Sequence, residues 1–133
     1  MIYKFRIIAF LFSLILPTFS ACKDSNLITS TKEADESELK VLLNEIEKMS
    51  DGITCTNASD WRFVPIGSKP CGGSTHFVLY SVKIDTNLFL QKVEQYTQKQ
   101  KNFNVKYQLS SDCKGIVAPK YIACINEKPK LVY

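Results

Sequence analysis

Residues 61–84 read WRFVPIGSKPCGGSTHFVLYSVKI, two β-forming runs parted by a loop of glycine, proline and serine. Trp61 to Ile66 predicts a strand, and Gly67-Ser68-Lys69-Pro70 a turn after it. Phe77 to Ile84, rich in Val, Tyr, Leu and Ile, predicts a second strand. Upstream, Leu39, Leu42, Leu43, Ile46 and Met49 recur at helical spacing, which predicts an amphipathic helix over 35–50. Asp35 and Glu38 offer it a capping-box-like start, and Gly52 a left-handed stop. Downstream, Asp85 is an N-cap candidate for a helix over 86–101, with Phe89, Val93, Tyr96 and Gln100 on one face. Asn102 and Asn104 are candidates for closing that helix.

Val105, Tyr107 and Leu109 alternate with Lys106 and Gln108, which predicts a half-buried strand. Tyr121–Ile125 and Lys130–Tyr133 predict two more, joined by a hairpin turn at Asn126-Glu127-Lys128-Pro129. The fold class that follows is α+β: two helices packed on a small antiparallel sheet of four to five strands.

Five cysteines divide into one plus four. Cys22 ends the segment Phe19-Ser20-Ala21-Cys22, while Cys55, Cys71, Cys113 and Cys124 fall among the predicted elements. Four cysteines in an exported domain imply two disulfides, with three possible connectivities. The nested pairing, Cys55–Cys124 with Cys71–Cys113, suits antiparallel pairing of a segment near 61–67 with one near 117–123. The local pairing, Cys55–Cys71 with Cys113–Cys124, remains open.

Lys4 and Arg6 precede an apolar run, Ile7 to Leu16, that Pro17 ends. That run is shorter than the roughly 20 residues a helix needs to cross a bilayer, and it fits the core of a signal peptide. Cleavage after Ala21 would put Phe19 where an ordinary signal peptidase needs a small residue. The stretch instead resembles a bacterial lipobox, in which Cys22 takes the lipid. An ordinary secreted protein with an unpaired cysteine is the alternative. The expected organisation is a lipoprotein signal peptide over 1–21, a flexible tether over 22–34 and one disulfide-stapled domain over 35–133. Lys23-Asp24-Ser25-Asn26 resembles the surface-export signals of Bacteroidota lipoproteins. The expected location is the bacterial cell envelope, anchored at the outer membrane and facing the periplasm or the surface.

The whole chain has 133 residues and a formal charge of +4. Lys4 and Arg6 are the only charged residues among the first 21, so the remainder carries 15 basic and 13 acidic side chains, a net +2. Without a basic stripe, this balance argues against a nucleic-acid partner.

Several motifs have a functional and a plain reading. Cys71-Gly72-Gly73 offers backbone N–H groups to a ligand, or simply makes a tight turn. It lacks the Lys and the Ser/Thr of a phosphate loop. His76 is the only histidine, and Ser74, His76 and Asp112 form a hydrolytic set only on paper. The absence of C-x-x-C weakens a redox reading. With the cysteines assigned to disulfides, no metal site or cofactor is implied. Trp61 and Arg62 are residue types common as binding anchors, yet a core Trp beside surface charge explains them as well. Asp112, in Ser111-Asp112-Cys113, would approach the Gly-Gly loop if Cys71 and Cys113 were adjacent, and is otherwise a turn residue.

The spaced set Trp61, Cys71-Gly72-Gly73, Tyr80-Ser81, Tyr96, Asn104, Ser111-Asp112-Cys113, Pro119 and Cys124 resembles a group of small bacterial lipoproteins of the Bacteroidota type, over roughly 55–133. The resemblance implies a cell-envelope lipoprotein domain and carries no activity, so it transfers no catalytic residue. The expectation is a non-catalytic, membrane-anchored binding module for an envelope protein, peptide or glycan. Its candidate binding residues are Trp61, Arg62, Gly72, Gly73, His76 and Asp112. The alternatives are an inhibitor of an exported protease or lysozyme, with the Cys71–Ser74 loop as wedge, and a small envelope hydrolase using His76.

Overall fold

A computed structural model describes residues 30–133. Cys22, the signal segment over 1–21 and most of the tether lie outside the described residues.

The elements run α1 (Lys32–Lys48), a short 3-10 turn (Ala58–Asp60), β1 (Trp61–Ile66), β2 (His76–Ser81), α2 (Thr86–Lys106), β3 (Tyr121–Ile125) and β4 (Lys128–Val132). The α+β class holds, but the four strands form two separate antiparallel hairpins, β1–β2 and β3–β4, rather than one sheet of four to five strands.

Both helices appear where apolar periodicity places them, with shifted ends. α1 starts at Lys32, inside the stretch read as tether, because the Thr31 hydroxyl accepts from the Ala34 N–H at 3.2 Å. Asp35 is therefore not the cap; it faces α2 instead. Asp85 does cap α2, accepting from the Leu88 N–H at 3.0 Å.

The strand predicted over 105–109 is absent: Val105 and Lys106 end α2. Val105 is 73% exposed, so its alternation with Tyr107 marks no sheet face. Gln108, at φ 48°, takes the left-handed position expected of Asn102 or Asn104. The Leu109 N–H then donates to the Asn104 carbonyl (2.9 Å) and the Gln108 N–H to the Val105 carbonyl (3.2 Å), the two bonds of a Schellman end.

The core lies between the helices and one face of the β1–β2 hairpin. Leu39, Leu42 and Ile46 from α1 meet Phe89, Val93 and Tyr96 from α2, with Ile66 and Val78 beneath them. Ile46, Ile66 and Phe89 are fully buried, and Tyr80 stacks on Phe89 with centroids 4.6 Å apart. The helices run antiparallel, seamed by Lys92–Glu45 (3.0 Å), Lys99–Glu38 (2.6 Å) and Lys106–Asp35 (2.6 Å). The three lysines are seven residues apart, two helical turns, so they return to one edge of α2. Behind the sheet, the Ser81 N–H donates to the Ser50 hydroxyl at 3.0 Å, tying the end of β2 to the turn after α1.

Pro65 helps explain why the hairpins do not merge. The Val82 N–H bonds the Asp60 carbonyl, so even-numbered residues of β1 carry its ladder with β2. Trp61, Phe63 and Pro65 then turn their backbone to the free edge, and proline has no N–H to offer there. The β3–β4 hairpin instead lies against the other face of β1–β2, where Trp61 and Leu79 share a cleft with Asn126–Pro129. Asn126 (φ 51°) and Glu127 (φ 60°) form its two-residue turn, and Lys128 and Pro129 already belong to β4.

Cys55 and Cys124 are joined, with Cα atoms 5.4 Å apart, which rules out the local pairing. The route to that pairing was different from the one expected, since segments 61–67 and 117–123 form no ladder. Cys55 reaches the hairpin directly: its N–H donates to the Glu127 carbonyl at 2.8 Å. The other expected bond is not formed; Cys71 and Cys113 are free, exposed thiols.

Candidate functional site

The loop between β1 and β2 is rigid at its base and open at its tip. At the base, the Gly67 N–H donates to the Thr97 hydroxyl (3.0 Å) and the Ser68 N–H to Gln100 Oε1 (2.8 Å). The Asn104 amide donates to the Ser68 carbonyl at 2.7 Å. Thr97, Gln100 and Asn104 lie three and four residues apart, so one face of α2 presents all three. Gly67 has φ +81°, and a side chain there would collide with the Thr75 hydroxyl and the Gln100 amide.

At the tip, the Gly72 N–H donates to the Lys69 carbonyl and the Lys69 N–H to the Gly73 carbonyl, both at 2.9 Å. The Gly72 N–H is thus spent inside the turn, which favours the plain reading of Cys71-Gly72-Gly73 over a ligand cradle. Gly72 (φ +98°) and Gly73 (φ +80°) need the left-handed region, and no atom lies within 4 Å of where their Cβ would be.

Segment 109–119, irregular throughout, crosses beside this tip. Lys69 Nζ donates to the Lys114 carbonyl at 2.7 Å and sits 3.8 Å from the Asp112 carboxylate. Cys71 Sγ lies 3.3 Å from the Ser111 hydroxyl and 3.6 Å from the Asp112 carbonyl. Cys113 directly follows Asp112, and the two thiols are near enough to shift each other's acidity. The neighbouring Cys113, the Ser111 hydroxyl and the Lys69 ammonium together hold the Cys71 thiol below its usual range. Cys113, as the partner that keeps its proton, is pushed up. The structure therefore brings together Cys71, Gly72, Gly73, Asp112 and Cys113, with Lys69 and Ser111 as members the sequence reading did not single out. Lys69 had no signal beyond its place in a turn.

The remaining candidates lie apart from this cluster's bonding. His76 opens β2, and its Nδ1 is 3.0 Å from the Thr75 hydroxyl. Among the described residues, no hydrogen bond joins His76 to Ser74 or Asp112, and Asp112 pairs with Lys69. Trp61 is only 3% exposed, and its indole N–H has no partner among the described residues. It is a wall of the interior rather than a protruding anchor. Arg62 is exposed but folded back, its Nη1 donating to the Ser59 and Trp61 carbonyls at 2.7 and 2.8 Å. Among the described residues no group of three or more His, Cys, Asp or Glu side chains is arranged to hold a metal ion, and no helix is long and apolar enough to cross a membrane.

A second polar cluster fastens the two helix ends. Asp35 accepts from Lys106 Nζ at 2.6 Å and from the Tyr107 hydroxyl at 2.8 Å. The Lys106 and Ser30 hydrogen bonds, then Tyr107, hold the Asp35 carboxyl down at about 2.

No protein family, curated protein or solved structure matches the chain.

Proposed function

We propose that this chain is a lipid-anchored protein of the bacterial cell envelope, held at the outer membrane through Cys22, whose domain is a non-catalytic binding module. Its ligand would be an envelope protein, a peptide or a glycan, contacted by the Lys69–Ser74 loop. The observation that carries this reading is the loop itself: a base fixed by Thr97, Gln100 and Asn104, and a tip projecting into open space. A loop ordered in advance loses less conformational entropy on binding. The same observation favours inhibition of an exported protease or lysozyme as the second reading, with the tip as a wedge. Nothing comparable favours a hydrolase centred on His76.

Crosslinked capture from intact cells tests the proposal, comparing the natural chain with Gly72→Val/Gly73→Val. Loss of the captured partner, with an unchanged circular dichroism spectrum, supports the loop as the contact. Equal capture by both chains rejects it. Inhibition assays against lysozyme and exported proteases with the same two chains separate the second reading. Mass spectrometry of the membrane fraction tests the anchor: the mature chain should begin at an acylated Cys22.

A further inference from the structure

We propose that Cys71 and Cys113 are a thiol–disulfide exchange pair, in which Cys71 attacks an exposed disulfide and Cys113 resolves the mixed disulfide. No C-x-x-C motif marks them; the fold sets Cys71 Sγ 3.6 Å from the carbonyl of Asp112, the residue before Cys113, although positions 71 and 113 are 42 residues apart. Both sulfurs are exposed, so a second disulfide has access to them. Cys55, by contrast, is 2% exposed and already bonded to Cys124. One chain thus holds an enclosed bond and an open pair.

The surroundings divide the labour between the two sulfurs. Cys71 has Ser111 Oγ at 3.3 Å and the Lys69 ammonium nearby, an environment that favours a thiolate. The Lys69 ammonium acts on both sulfurs, so the difference lies in the Ser111 hydroxyl, which stands beside Cys71 and not Cys113. Lys69 also links the two loops without help from either sulfur, through its 2.7 Å bond to the Lys114 carbonyl. Neither cysteine lies in a helix or strand, and neither belongs to the core, so opening and closing the bond leaves the packing intact. A stabilised thiolate favours the reduced form, which makes the corresponding disulfide the more readily reduced of the two.

The chemistry balances with the outside disulfide as oxidant. The Cys71 thiolate forms an S–S bond to one sulfur of that disulfide, whose own S–S bond breaks, and the second sulfur leaves as thiolate and takes a proton. Cys113 then loses its proton and attacks Cys71, expelling the remaining sulfur. The net change is one outside disulfide reduced to two thiols and one Cys71–Cys113 disulfide formed. The exchange is stoichiometric, and it does not depend on what the loop binds.

Full-length chain in detergent, reduced selectively at the exposed pair, is mixed with oxidised glutathione or with disulfide-bonded insulin, and products are trapped by acid and read by mass. We expect the natural chain to form the Cys71–Cys113 disulfide and release two thiols. Cys113→Ser should stop at a mixed disulfide on Cys71, and Cys71→Ser should react at least about threefold more slowly, following the lost thiolate advantage. Reaction with glutathione alone identifies a small disulfide as oxidant, and reaction with insulin a protein one. A mixed disulfide placed on Cys113 as readily as on Cys71 overturns the assignment of roles. Reduction of both pairs in one transition during a glutathione titration overturns the distinction between them. A Cys71–Cys113 bond that forms but resists glutathione overturns the exchange. Peptide mapping of an intact Cys55–Cys124 bond in each variant shows that the fold survives.

Discussion

Cys55, in the irregular segment between α1 and β1, is bonded to Cys124 of β3, and so ties the C-terminal hairpin to a domain with which it shares no strand ladder. The hairpin β3–β4 contributes nothing to the buried core cluster, and a two-stranded hairpin alone is marginal in water. Its attachment rests on the disulfide, the Cys55 N–H to the Glu127 carbonyl, and the cleft over Trp61.

Replacing Cys55 and Cys124 by Ala should therefore release the C-terminal hairpin before the rest of the domain. The bond closes a separation of 69 residues. A loop of that size corresponds to a loss of about 4 kcal/mol on chain-entropy arguments. Hydrogen exchange should show amides of 121–132 losing protection while those of α1 and α2 keep theirs. Uniform loss across the domain would mean that the hairpin is integral to the core.

Acid should loosen the junction of the two helices. The Asp35 carboxyl is lowered from 3.8 to about 2 in the fold, so its contribution is present in full above about 3.8 and is lost as pH falls through about 2. Lys106, raised by the same contact, loses its share only on the alkaline side above 10.5. Asp35→Asn should lower the melting temperature at neutral pH and flatten its fall between pH 4 and pH 2, relative to the natural chain. An unchanged acid limb in a thermal melt series would show that the pair adds nothing.

Two glycines in one loop should respond differently to alanine. At Gly67 the new methyl meets the Thr75 and Gln100 side chains in addition to an unfavourable φ, and a loss of about 2–3 kcal/mol is expected. At Gly72 the φ is equally unfavourable but the space is empty, so about 1 kcal/mol is expected. Urea denaturation of the two variants measures the difference, and equal losses would contradict the anchoring of the loop base on α2.

Glu127→Gly should stabilise the domain by about 1 kcal/mol. Asn126 and Glu127 both have positive φ, and an Asn-Gly pair is the preferred occupant of that turn. The Cys55 N–H bonds the backbone carbonyl of residue 127, which the change retains. A lower denaturation midpoint would point to an unrecognised role for the Glu127 side chain.

Local order was legible wherever one face of an element is buried. The spacing of Leu39, Leu42 and Ile46, and of Phe89, Val93 and Tyr96, located both helices, because burial selects one face of a helix at a fixed period. Strands β1 and β3 were legible to the residue, and β2 and β4 within a few residues. The alternation over 105–109 has a simple cause: five residues are too few to separate a strand from a helix end at which Val105 is exposed and Tyr107 and Leu109 are half-buried. Thr31 was overlooked as a cap because the apolar pattern of α1 begins several residues later.

Periodicity and composition, both local properties, suffice for the two helices and for the place of the four strands along the chain. How the hairpins associate was a matter for three-dimensional packing, since strand pairing depends on which edges keep a donor, and Pro65 removes one from β1. The meeting of Lys69, Cys71, Ser111 and Cys113 likewise arises only once α2 holds one loop in place and the chain after its Schellman end runs back past it. Residues some forty positions apart carry no mutual signal along the chain, and only the folded path gives them a common environment.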